Sequence, residues 1–202
     1  LKEISLTPGK KEELIETIYF GGGTPSILER NELEKIILQL RNDFLISPDA
    51  EITLEANPDD INPLKAKAWL DSGINRLSIG IQSFRDEDLQ WMNRSHSALQ
   101  ARQAILDIKS AGFDDFSIDL IFGTPGLDTN AWKANIDMAM TLGIPHLSCY
   151  ALTVESKTAL DKMIALHKKE APDPELQAEQ YLILMDKMEK DGYLHYEISS
   201  FS

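Results

Sequence analysis

The chain has 202 residues, with 20 lysines and arginines against 33 aspartates and glutamates, a formal net charge of −13. Such a field argues against nucleic acid as the main partner and favours a cationic small ligand. No apolar run approaches the length of a membrane span, no signal peptide is visible, and the lone Cys149 excludes an internal disulfide and a cysteine-only metal site.

An intracellular, cytoplasmic location is the simplest reading of that cysteine usage. The first residue is Leu1, which fits an excised piece of a longer chain. The first predicted strand is TIYF (17–20), and it runs straight into Gly21, Gly22, Gly23, Thr24 and Pro25. Glycine loses more backbone freedom on folding than any other residue, and one normally suffices for a turn. Three in a row point to something that comes very close to this backbone. No Gly-Lys-Ser/Thr follows and the spacing is not Gly-x-Gly-x-x-Gly, so a phosphate loop is a weak reading. RNELEKIILQL (30–40) reads as a helix with a cap-like Asn31 and Glu34 pair, and EITLEA (51–56) as the second strand.

From there a pattern repeats. SGINRLSIG (72–80), AGFDDFSID (111–119), LGIPHLSCY (142–150) and DGYLHYEIS (191–199) each place a glycine before an apolar residue and a short β-prone run. A helical stretch precedes each glycine: Asn62 and Pro63 open the first, and Thr129 caps the third. Glycine just past a helix is the expected left-handed cap. The unit is therefore helix, glycine, strand. Strands joined by helical crossovers are parallel, and these apolar runs suggest burial on both faces. Five or six parallel strands result, spaced by roughly 25 to 45 residues, which suits a βα series better than a solenoid. An incomplete (β/α) barrel is the first choice and a doubly wound open sheet the second, because a full eight-fold barrel needs about 250 residues.

In both architectures chemistry gathers at the C-terminal ends of the strands. Gly21, Gly22, Gly23 and Thr24 lie there after the first strand, Glu55 and Asn57 after the second, and Gln82 and Ser83 after the third. Arg94 and His96 follow in the same connection, Asp119 and the turn FGTPG (122–126) come after the fourth strand, and Thr153 and Glu155 follow the fifth. Each has a plainer reading: Glu55 as a helix cap, Arg94 as a surface cation, Cys149 as a core thiol. His96, His146, His167 and His195 show no metal spacing and read as structural or surface residues. Asp119 sits within FSIDLIF, where a lone carboxylate is costly without a partner. As a set, the rim suits a ligand of mixed charge: Arg94 can grip a carboxylate, and Glu55 or Asp119 can accept from an ammonium group or ribose hydroxyls.

YFGGGTPS, LEANPD, RLSIGIQSF, NRSH, SIDLIFGTPG and YEISSF, in this order, make the chain resemble the radical S-adenosylmethionine (SAM) family of oxygen-independent coproporphyrinogen III oxidases and their relatives. The resemblance runs from about Thr17 to Ser202. LSCYALTVESKTAL and the closing YEISSF are similar to the heme chaperone branch of that family. The resemblance implies a partial (β/α)6 TIM-like barrel of parallel strands, here without its first strand, so that the next strand becomes an exposed edge. It divides the chain into a core at 1–170 and, at 171–202, a helix and strand leading into a C-terminal region.

It further implies that Gly22, Gly23, Thr24, Glu55, Gln82, Arg94 and Asp119 bind SAM. A [4Fe-4S] cluster would sit on a Cys-x3-Cys-x2-Cys motif that these residues do not contain, so this stretch would not cleave SAM reductively. The implied role is to carry heme to heme-accepting apoproteins, with membrane association only through those acceptors. The alternative is radical decarboxylation of the propionates of coproporphyrinogen III. A generic metabolite-binding α/β domain is a third reading.

Overall fold

In the computed structural model, which describes residues 13–202, strands and helices follow one another along the chain. The strands are β1 (Leu14–Phe20), β2 (Leu45–Ala56), β3 (Arg76–Gln82), β4 (Phe116–Phe122), β5 (His146–Ala151) and β6 (Ser200–Phe201). The helices are α1 (Arg30–Asp43), α2 (Pro63–Asp71), α3 (Asp86–Trp91), α4 (Ala98–Ala111), α5 (Thr129–Thr141), α6 (Ala159–Ala165) and α7 (Pro174–Lys190). Two compact units result: residues up to Gly80 with Gln103–Phe116, and Ile81–Arg102 with Ser117–Ser202. No helix among the described residues is long and apolar enough to cross a membrane.

In the first unit β1, β2 and β3 run parallel, with Phe20 opposite Leu54, Leu54 opposite Leu77 and Glu55 opposite Ser78. Successive side chains of a strand point to opposite faces. Ile52, Leu54 and Ala56 of β2 and Leu77 and Ile79 of β3 are buried on one face, as are Leu33 and Ile37 of α1 and Ala66 and Trp69 of α2. Removing each large apolar side chain from water contributes about 1.5–3 kcal/mol. The alternate positions are Thr53, Glu55, Ser78 and Gly80, and of these Glu55, Ser78 and Gly80 are only half-buried. The expectation of apolar burial on both faces is corrected in its chemistry: every second residue is small or polar, with Thr53 fully buried and the other three half-buried.

The cap of α1 is also corrected. Glu29, not Asn31, is the N-cap, with reciprocal bonds between Glu29 and Glu32. Asn62 caps α2 as expected, accepting from the Lys65 amide at 3.0 Å.

The repeated glycine rests on one geometry. Gly73, Gly112, Gly143 and Gly192 all have positive φ, between 61° and 102°. In each case the glycine amide bonds back three residues and the next amide five, as in Gly73 to Leu70 (3.0 Å) and Ile74 to Trp69 (3.1 Å). This is the Schellman arrangement, which satisfies the last helical carbonyls. The apolar residue that follows, Ile74, Phe113 or Ile144, is at most 1 % exposed, so the cap also delivers a core side chain.

In the second unit β4 and β5 are parallel, with Asp119 opposite Ser148 and Leu120 opposite Cys149. Phe122 meets Trp132 of α5 at 5.5 Å and Tyr181 of α7 at 6.2 Å between ring centroids. Asp128, not Thr129, caps α5, accepting from the Ala131 amide at 2.8 Å. The fourth repeat also departs from expectation. Its predicted parallel strand (191–199) is absent; instead Leu194 and Ser202 exchange two backbone bonds, and β6 runs antiparallel to β5. Leu194, Tyr196 and Ile198, members of that β-prone run, are 59–79 % exposed, whereas Phe201 is fully buried.

Candidate functional site

The predicted ligand-binding residues fall on both units, and each group stands on its own geometry. In the first unit, the parallel register of β1 and β2 carries Glu55 to the start of the glycine strip. Its carboxylate accepts from the Gly22 amide at 3.1 Å and from the Tyr19 hydroxyl at 2.9 Å. The cap reading of Glu55 is thereby set aside, since the short helical turn after β2 begins at Asn57. Gly22 and Gly23 have φ of 77° and 66°, and a Cβ on either would meet nothing within 4 Å. Gly21 differs: a Cβ there would lie 2.7 Å from the Tyr19 ring and 3.1 Å from the Glu55 carboxyl carbon. Thr24 precedes a single helical turn at Pro25–Ile27, and its carbonyl accepts from the Ile27 amide at 3.2 Å. Tyr19 is a member of this site that sequence reading missed.

In the second unit, Gln82 ends β3 with a φ of 66°, although it is not glycine. Its side chain is 7 % exposed, and no hydrogen bond to it occurs among the described residues. A non-glycine residue held in the left-handed region costs on the order of 1–3 kcal/mol and persists only where its surroundings enforce it.

Those surroundings begin at the next residue. Ser83 donates to Asp88 Oδ2 at 2.6 Å, and Asn135 of α5 donates to Ser83 Oγ at 3.0 Å. Asn135 Oδ1 accepts from the Phe84 amide at 2.8 Å. Arg85 pairs with Asp88 at 2.8 Å. Ser83, Asp88 and Asn135 are all at most 2 % exposed. Burial pushes the Asp88 carboxyl above its ordinary pKa, against the opposing pull of Ser83, Arg85 and Asn135.

Arg94 follows α3 in the same unit. Asn93 occupies the left-handed region at φ 56°, and the Arg94 amide bonds to the Leu89 carbonyl at 2.9 Å. This is a Schellman cap with asparagine in place of glycine. Asp119 lies within β4 rather than after it, half-buried on the face it shares with Ser117 and Ile121. It adds to the upward shift of the neighbouring Cys149 thiol, whose main cause is burial. Cys149 is 2 % exposed and is the core thiol expected of it. His96 is also structural: buried, with Nε2 3.0 Å from the Ile81 carbonyl.

Among the described residues no group of three or more His, Cys, Asp or Glu could hold a metal ion. The 202 residues supply one thiol, buried and held protonated, and so do not fit a four-iron cluster that needs three accessible thiolates. The glycine strip and Glu55 do fit a ligand with an amino-acid end, because they present open backbone beside a carboxylate.

The strand-end glycines and the α/β repeat define a βα-barrel type of protein, and residues 6–154 match the Radical SAM superfamily. The chain belongs to that superfamily. It is 34 % identical over 189 residues to the heme chaperone HemW of Lactococcus lactis, covering 94 % of this chain and 50 % of the relative. It is 36 % identical over 189 residues to HemW of Bacillus subtilis, covering 93 % and 50 %. With the mitochondrial radical S-adenosyl methionine domain-containing protein 1 of Mus musculus it shares 33 % identity over 188 residues, covering 93 % and 42 %. The chain thus spans about half the length of the curated relatives it matches.

Among solved structures it is similar to the Escherichia coli coproporphyrinogen III oxidase HemN, a radical SAM enzyme, with a TM-score of 0.80 at 23 % identity, covering 94 % of this chain and 43 % of that one. That likeness shows the fold, a partial (β/α) barrel of the radical SAM type.

Proposed function

We propose that this chain is the SAM-binding part of a heme chaperone. Gly22, Gly23, Thr24 and Glu55 on the first unit, and Gln82, Arg94 and Asp119 on the second, are its SAM contacts. The observation that carries the proposal is the Glu55 carboxylate locked onto the Gly22 amide beside two open, left-handed glycines. A carboxylate oxygen has two acceptor positions, so Glu55 keeps capacity for a ligand ammonium after both bonds are made. SAM carries a sulfonium and an ammonium against one carboxylate, and a net cation is drawn to a chain of charge −13. In proteins that hold it, the cluster supplies the electron that cleaves SAM; the residues described here contribute binding and orientation.

The curated relatives named as heme chaperones support heme as the cargo, and heme-accepting apoproteins follow as partners. The second reading is decarboxylation of coproporphyrinogen III, favoured by the fold shared with HemN.

The test uses the product of the complete gene, with cluster reconstituted without oxygen and SAM, reductant and coproporphyrinogen III supplied. The chaperone reading expects stoichiometric heme binding and no decarboxylated porphyrinogen by mass spectrometry. Turnover to protoporphyrinogen replaces it with the oxidase reading. Glu55→Ala weakens SAM binding by about tenfold or more, since it removes a charge-assisted contact; unchanged affinity removes Glu55 from the site.

A further inference from the structure

We infer that Asn135 is a positioning residue for SAM binding: from α5 it fixes Ser83 and Phe84, and through them the conformation of Gln82 and the segment that carries Arg94. The inference rests on the reading of Gln82 and Arg94 as SAM contacts.

Gln82 is held in a strained conformation. Its backbone is left-handed, its side chain is nearly buried, and among the described residues nothing bonds to its amide. Such a residue would relax if the chain after it were free. It is not free. The Ser83 amide bonds to the Ile81 carbonyl at 2.8 Å, spanning Gln82 in a tight turn. Phe84, two residues on, donates its amide to Asn135 at 2.8 Å. The Ser83 hydroxyl is held from one side by Asn135 and from the other by Asp88. It also accepts from the Arg85 amide at 3.1 Å. Displacing Ser83 or Phe84, the residues that follow Gln82, therefore breaks buried bonds to Asn135 or Asp88.

The same network sets Arg94. Asp88 lies in the first turn of α3, and its carbonyl accepts the Met92 amide at 2.9 Å. Leu89 and Gln90 accept from Arg94 and Asn93 in the closing cap. A shift of Asp88 moves the short helix, and the helix carries Arg94 at its end. One amide side chain of α5 thus stands behind both residues, with its own hydrogen bonds made to Ser83 and Phe84.

Asn135 also stands apart from Trp132, one of the residues that tie its helix to α7. Trp132 donates to the Gln180 carbonyl of α7 at 3.0 Å and has no bond to the Ser83 network. Trp132→Phe therefore loosens α5 without loosening Gln82, and it serves as the control.

The experiment measures SAM affinity by anaerobic calorimetry, and Tm by calorimetric scanning, on the product of the complete gene and its variants Asn135→Ala, Ser83→Ala and Trp132→Phe. The inference expects Asn135→Ala to bind SAM about tenfold more weakly well below its Tm, since two hydrogen bonds that fix the binding geometry are gone. Ser83→Ala, a smaller change that keeps the fold if Asn135→Ala does not, is expected to show a loss of the same kind. Trp132→Phe is expected to lower Tm and leave SAM affinity as it was. Equal weakening by Asn135→Ala and Trp132→Phe overturns the inference, because α5 then acts only through general stability. Unchanged affinity in Ser83→Ala and Asn135→Ala overturns it as well. An unmutated protein that binds no SAM is a different result: it removes the reading on which the inference rests.

Discussion

Gln82 gives the sharpest test of the backbone geometry, because the expected order of two variants reverses the usual one. In a strand, glycine is less stable than alanine by about 0.5–1 kcal/mol, since it has more freedom to lose. At φ 66° alanine keeps the Cβ clash and glycine does not. The clash is worth roughly 1–2 kcal/mol, and the greater unfolded-state freedom of glycine takes back about 0.4–1 kcal/mol. Gln82→Gly should therefore exceed Gln82→Ala by about 0.5–1 kcal/mol, a gap of roughly 1–4 °C in Tm for a chain of this size. Both lack the side chain, so lost contacts cancel in the comparison. Ser78, in the regular part of β3, is the internal reference: Ser78→Ala should exceed Ser78→Gly. Urea denaturation with a common slope reads the four variants directly. If Gln82→Ala is as stable as Gln82→Gly, the residue is not held in the left-handed region, and the strain assigned to it is wrong. Both Gln82 variants should bind SAM more weakly, so that Gln82→Gly keeps stability while losing affinity.

Two further expectations follow from buried polar groups. Asp88 has a raised pKa in the folded state, so on raising the pH the unfolded chain releases this proton first, near the ordinary value of about 4. Its contribution is fully present below that pH and falls as pH rises toward the folded value. Paired urea melts across pH should then show Asp88→Asn costing less stability at neutral pH than at pH 3; a cost that grows with pH contradicts the assigned direction. Thr124, in the turn after β4, is fully buried, and its hydroxyl finds no partner among the described residues. Thr124→Val keeps the shape and removes an unpaired group, so it should stabilise by about 1 kcal/mol in the same melts. A loss of stability there means that the hydroxyl has a partner.

What could be read from the residues was what depends on local chemistry. The four repeat glycines were legible because only glycine fits a left-handed cap without cost, and three of them are followed by an apolar residue that is buried. The cap positions of α1 and α5 were off by one or two residues. Glu29 and Asn31, or Asp128 and Thr129, are all competent acceptors, and only the path of the incoming chain selects between them. The strand after Gly192 was misread because β-prone residues alone do not say whether a segment is covered, and Leu194, Tyr196 and Ile198 are exposed.

For the site, residue types were legible and partnerships were not. Glu55 and Gly22 lie 33 positions apart, and only the register of β1 on β2 joins them. Asn135 was invisible within WKANIDMAM, where one polar residue looks like part of a solvated helix face.

The three glycines of YFGGGTPS serve two different physical needs. Gly21 is favoured by packing: a Cβ there would crowd the Tyr19 ring and the Glu55 carboxyl, which the hydroxyl bond holds together. Gly22 and Gly23 are required by backbone direction, and both leave open space where a Cβ would stand. The Gly22 amide is committed to Glu55, whereas the Gly23 amide has no acceptor among the described residues. The strip therefore builds its own support with its first two residues and offers its third as an open donor. A ligand carboxylate can take that donor while its ammonium group takes the remaining capacity of Glu55. The amino-acid end of a ligand carries both of these charges, and this supports the proposed contact with the methionine end of SAM.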